Sequence, residues 1–130
     1  MTVVLNSRYQ IIAEVAEQDT LVLAAPLALE SLDDTRCFRE AVEAALKASG
    51  TRSVLVDARR AKPSSKEVNE SMWHWVKTCP HFDHLAIVNQ SATLSVAASM
   101  QATAIGSKKV KVFTDLLLAV RWLVTRRQHD

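Results

Sequence analysis

The sequence predicts an α/β fold in which about five strands form a mostly parallel mixed sheet, opened by an antiparallel hairpin and packed by about four helices. Three observations predict it. Short β-prone runs alternate with longer runs at helical spacing through most of the chain, which calls for right-handed crossovers and a parallel sheet. Two of the strand candidates, "SVLVDA" and "LAIV", are continuous apolar runs of the kind covered on both faces. The first two β-prone runs are joined by only three polar residues, Glu17-Gln18-Asp19, too few for the crossover a parallel pair needs.

Each element follows in order. Arg8 to Ala16, "RYQIIAEVA", and Thr20 to Leu23, "TLVL", form the hairpin. Ser31 to Ser49 is a helix with Phe38, Val42, Ala45 and Leu46 on one stripe, acidic Asp33 and Asp34 in its first turn, and Gly50 as the stop. "RSVLVDA" is the third strand. Ser65 to Cys79 repeats the helical pattern with Val68, Met72, Trp75 and Val76, and Pro80 ends it. "LAIVN" is a strand, Ser91 to Ile105 an alanine-rich helix stopped by Gly106, and "KVKVF" a last strand whose alternating lysines place it at an edge or half-covered. Asp115 to about Arg126, apolar on most of its circumference, is a closing helix that must pack closely.

At 130 residues the chain is expected to be a single domain, 1–130, able to bury a core without disulfides or metals. Hydrophobic content of 48% with 23% charged residues excludes a disordered chain. Sixteen basic against fourteen acidic residues, net +2, is too balanced to draw in nucleic acid or an anionic membrane. No long apolar segment predicts membrane insertion and no leader pattern opens the chain, so a cytoplasmic location is expected. Cys37 and Cys79 fall in predicted helices without CxxC spacing, which suits a reducing compartment.

A site is expected where parallel strands end and helices begin, because free N–H groups at helix amino termini favour anions there. Three loops qualify: Asp57 to Ser65, Asn89 to Ser91, and Thr114 with Asp115. The first carries Arg59, Arg60 and Lys62 beside the pair Ser64-Ser65. Ser64 with Glu67 matches a capping box, with Pro63 fixing the entry, and Ser65 is then the first helical residue. A phosphate on Ser65 would sit at the positive end of the helix near Arg59 or Arg60. The plain alternative is that these polar residues only cap and solubilise the loops.

The element order and the closing run "KVKVFTDLLLAVRWLV", with Val112, Phe113, Ala119, Trp122 and Leu123, resemble the STAS (SpoIIAA-like) superfamily of bacterial anti-sigma-factor antagonists and their uncharacterised single-domain relatives. That resemblance implies a STAS fold and a non-enzymatic regulatory module whose partner is a kinase or another regulator. In the antagonists a serine at the head of the helix after the third strand is phosphorylated. "VDARRAKPSSKE" supplies Asp57 and the pair Ser64-Ser65 in about that place, without the aspartate immediately before or the glycine after. The resemblance thus implies a phospho-acceptor or anion rim of Ser64, Ser65, Asp57, Arg59, Arg60, Asn89, Ser91 and Thr114.

Other signals point elsewhere. "HWVKTCPHFDH" gathers His74, Cys79, His81 and His84, but structural metal sites pair separated ligands, and a helix turns His74 about 140 degrees from Cys79. No metal or cofactor is expected. Trp73 lies off the apolar stripe, where it would anchor a partner or be covered by a second layer. There is no nucleophile elbow, glycine-rich phosphate loop or paired carboxylate spacing, so no enzyme is expected. An enzyme using Ser65, His74 or Asp57 is the third reading. The second is a domain binding an apolar small molecule or lipid between the last helix and the sheet; the same apolar helix would otherwise form a homodimer.

Overall fold

The computed structural model describes residues 3–16, 19–90, 92–106 and 108–129. Six strands and four helices follow in the order β1 (Val3–Leu5), β2 (Tyr9–Ala16), β3 (Asp19–Pro26), α1 (Leu32–Ser49), β4 (Ser53–Asp57), α2 (Lys66–Thr78), β5 (His84–Val88), α3 (Ala92–Ile105), β6 (Val110–Phe113) and α4 (Leu116–His129). The expected hairpin is β2 with β3, paired from Tyr9 opposite Pro26 to Ala16 opposite Asp19. The pairs β3–β4, β4–β5 and β5–β6 are parallel. The three-residue strand β1 joins antiparallel to β2, so the sheet has one more strand than the sequence pattern indicates.

The strands lie side by side in chain order, β1-β2-β3-β4-β5-β6. When each right-handed crossover moves one strand in the same direction, every crossover helix falls on the same face. The packing follows this rule. Phe38, Val42 and Leu46 of α1, Val68, Trp75 and Val76 of α2, and Ala102 of α3 share one core with Ile11, Val22, Val54 and Leu85. Among the described residues only α4 packs on the opposite face, where Ala119 and Leu123 meet Leu21, Leu55, Ala86 and Val88.

Local chemistry explains the element ends. Ser31 caps α1 by accepting from the Asp34 backbone N–H, and Asp34 accepts in return from the Ser31 N–H. A reciprocal capping box therefore exists, at α1. Gly50 closes that helix at φ 73°, a left-handed conformation that favours glycine. The large core is tied by a run of edge-to-face rings, Tyr9–Phe38, Phe38–Trp75 and Trp75–Phe82, with centroids 5.6, 6.4 and 5.3 Å apart.

β6 is an edge strand, with Val110 buried and Lys111 exposed, as its alternation predicts. The closing helix does not bury all its apolar residues: Leu117 and Leu118 are 54% and 53% exposed. One sheet covers one stripe of a helix, so a helix apolar on most sides keeps an uncovered stripe. Trp73 is half-buried and packs against the edge of the large core.

Candidate functional site

The carboxyl ends of β3, β4, β5 and β6 form one rim with the amino termini of α1, α2 and α4. Its loops are bonded to one another through the backbone. The Lys62 N–H donates to the Leu27 carbonyl at 2.8 Å, Ala58 to Val88 at 2.9 Å, and Asn89 to Phe113 at 2.9 Å. The rim is thus a tied platform.

Asp57 ends β4, and its carboxylate accepts both the Nε and an Nη of Arg59 at 2.8 Å, with the Arg59 backbone N–H at 3.2 Å. The side-chain hydrogen bonds from Arg59 hold the Asp57 carboxyl below the usual carboxylate range. Arg59 is therefore engaged by Asp57 and is not a free anchor for a phosphate. Arg60 and Lys62 are exposed and make no ion pair among the described residues.

The serine pair requires a correction. The helix cap is Ser65, whose Oγ accepts from the Val68 N–H at 3.2 Å, and the helix begins at Lys66. Ser64 precedes the cap and is exposed, so no capping box forms between Ser64 and Glu67. The cause is the pinning of Lys62 to Leu27: Pro63 and Ser64 carry the chain from that anchor, and the helix starts one residue later than the local pattern suggests.

Asn89 is buried just past β5, and Thr114 is exposed between β6 and α4. Asp115 caps α4, its Oδ1 accepting from the N–H groups of Leu117 and Leu118 at 2.8 and 3.2 Å. Ser91 lies outside the described residues. The structure thus brings Asp57, Arg59, Arg60, Ser64, Ser65, Asn89 and Thr114 to one rim.

It also adds a fourth loop to that rim, Leu27 to Ser31, which the strand and helix patterns passed over. Arg8, from the β1–β2 turn, reaches it, with Nη1 3.2 Å from Glu30 and 3.5 Å from Asp34 and donating to the Ala28 carbonyl. The legible signal was Ser31-x-x-Asp34, a capping-box spacing.

The opposite end of the sheet holds the histidine and cysteine cluster. His74 is exposed on α2, whereas His84 is buried in β5 with Nδ1 2.7 Å from the Lys108 carbonyl oxygen. Cys79 is buried, its thiol donating to Glu43, and burial pushes the thiol up from its ordinary value. Among the described residues no three of these groups converge as metal ligands. A cleft of about 470 Å³ there is bordered by Arg52, Phe82, Asp83 and Lys109. These residues chiefly tie the α2–β5 loop: Arg52 pairs with Asp83 and donates to the Pro80 carbonyl, and Lys109 donates to the carbonyls of Lys77 and Cys79. Between α4 and the sheet, where the second reading would put an apolar ligand, Ala119 and Leu123 pack against Leu21, Leu55, Ala86 and Val88.

With this geometry in hand, the architecture has a counterpart among solved structures. The crystal structure of an uncharacterised DUF3478-family protein with a SpoIIAA-like fold, from Shewanella loihica PV-4, superposes with a TM-score of 0.68. The chain has a SpoIIAA-like fold. The likeness covers 95% of this chain and 98% of that one at 21% sequence identity, so it speaks for the whole architecture and for the fold alone. No protein-family model and no curated protein matches the sequence. Among the described residues no helix is long and apolar enough to cross a membrane.

Proposed function

We propose that this SpoIIAA-like domain is a non-enzymatic regulatory module that recognises another protein through its rim, with phosphorylation at Ser64 or Ser65 setting that recognition. The observation that carries the proposal is the strand order. Open α/β sheets usually hold small ligands in the crevice where strand order reverses. A sheet in unbroken chain order has no such reversal, so its rim suits a macromolecular partner better than an enclosed substrate.

The rim's chemistry fits a phosphate switch at a different pair of cations from the one the sequence suggests. Ser64 is exposed, and Ser65 presents its hydroxyl at the amino terminus of α2, where a phosphate gains from the helix N–H groups. Arg60, whose charge also acts on Asp57, and Lys62 supply positive charge outside any ion pair among the described residues on the same loop, while Arg59 is held by Asp57. A phosphate there would cancel most of the loop's net positive charge, three bases against Asp57, and alter what docks on it.

The test is a photo-reactive side chain placed at Lys62 in cells of the source organism, compared with one at Lys47 on the exposed side of α1. A discrete protein adduct from position 62, lost or changed in the Ser64→Glu/Ser65→Glu double variant, is the expected result. Intact-mass analysis of the purified chain should show a phosphorylated fraction that the Ser64→Ala/Ser65→Ala variant lacks. Identical adducts from both positions and an unmodified chain would sink the proposal.

A further inference from the structure

Leu23 and Leu55, both on the α4 face, are paired across β3 and β4. Directly paired residues share a face, so the registers place Val3, Ile12 and Leu23, with Leu5 beside Gln10, on that same side. Yet α4 packs on β4, β5 and β6, and on the hairpin its cluster takes in Leu21 and Leu23 of β3 and Ala16 at the end of β2. Beyond them the sheet face stays open: Val3 is 46% and Leu5 67% exposed. The outer stripe of α4, with Leu117, Leu118 and Arg121, is also uncovered. The molecule thus has half a sheet face without a helix, and a helix with two exposed leucines side by side.

We infer that a second copy of this chain covers both, each α4 lying on the other copy's β1–β3. A two-fold axis parallel to the strands and above the sheet accomplishes this. It turns the second sheet over, so that its α4 comes to rest above β1–β3 of the first copy and its own β1–β3 rest on the first copy's α4. An axis across the strands would stack helix on helix and open half on open half, satisfying neither. Such an interface is isologous and closes at two copies.

Dimensions and charge agree. The 14 residues of α4 span roughly 21 Å and a helix is about 10–12 Å wide. The 8-residue strands β2 and β3 span about 27 Å, and three strands about 4.8 Å apart offer a matching width. Because α4 begins at the rim and this axis keeps the ends together, Leu117 and Leu118 fall over Leu5 and Ile12 of the second copy. Arg121, one turn further on, then faces Glu14, which shares the open face through its pairing with Leu21. Neither Arg121 nor Glu14 is in an ion pair among the described residues.

Sedimentation equilibrium on the full chain, from micromolar to submillimolar concentration, tests this independently of the rim. The expected species has twice the 14.4 kDa mass of the chain. Leu118→Glu, at an exposed position that leaves the fold intact by circular dichroism, should raise the dimer dissociation constant at least about tenfold. Glu14→Arg and Arg121→Glu should each weaken the dimer, and the two together should restore it. A chain monomeric at every concentration overturns the proposal, as does a dimer indifferent to Leu118→Glu. A double reversal no tighter than either single change overturns the arrangement. A monomer that binds neutral phosphatidylcholine vesicles through this face, losing them in Leu118→Glu, overturns it in favour of a lipid occupant.

Discussion

Two adjacent serines at the head of α2 hold different positions, and the difference is measurable. Ser65 satisfies an otherwise free helix N–H, while Ser64 does not cap. Ser65→Ala should therefore cost about 1 kcal/mol in urea unfolding, and Ser64→Ala should stay within about 0.5 kcal/mol of the parent. The reverse order of costs would return the cap to Ser64. The local pattern could not choose between them, because Ser64-x-x-Glu67 is as good a capping sequence as any, and the deciding contact, Lys62 to Leu27, lies across the fold. Asp57 and Arg59 make a second case. Their pairing crosses a strand end at a spacing of two, which no periodicity signals. A carboxylate whose folded pKa is depressed adds stability above its unfolded pKa, about 3.9, and that contribution fades as pH falls through the lower folded value. Arg59→Ala should thus raise the Asp57 midpoint in a carboxyl NMR titration and flatten the loss of stability below about pH 4. An unchanged midpoint would show that Arg59 is not the cause.

Among the elements, α1 owes its place to the residues it buries. Phe38 of α1 is fully buried between Tyr9 of β2 and Trp75 of α2, so it links the hairpin to α1 and α2. Phe38→Ala should cost about 3–5 kcal/mol, a large share of the roughly 5–15 kcal/mol available to a domain of this kind. Leu32→Ala, at an exposed site on the same helix, should cost under about 0.5 kcal/mol in the same thermal or urea melts. Equal losses at the two positions would mean that the ring contacts do not hold the layer. Elements of this sort were legible because their stripes repeat over three or more turns. The strand β1 was not: three residues are too few for alternation to register, and its place depends on β2 offering an edge. The exposure of Leu117 and Leu118 was hidden for a different reason, since hydrophobicity states that a surface is to be covered without stating by what.

At the scale of the molecule, alternation of strands and helices foretold a parallel sheet but not the order of its strands, because the crossover rule fixes handedness and leaves direction open. That direction decides the rest. Advancing always the same way puts α1, α2 and α3 on one face, leaves α4 alone on the other, and gives the rim no reversal in which to enclose a small substrate. The candidate rim was partly legible for the same reason, since parallel strands must end together, whereas the fourth loop at Leu27 to Ser31 came from the hairpin strand β3 and its direction in the sheet.

The unbroken strand order also bears on how the chain is made. Each strand pairs with the one synthesised just before it, so loop closure never has to skip over unfinished sheet. The sheet can grow from the ribosome in chain order, with every new strand and helix docking on a layer already in place and only the α4 side left for the end.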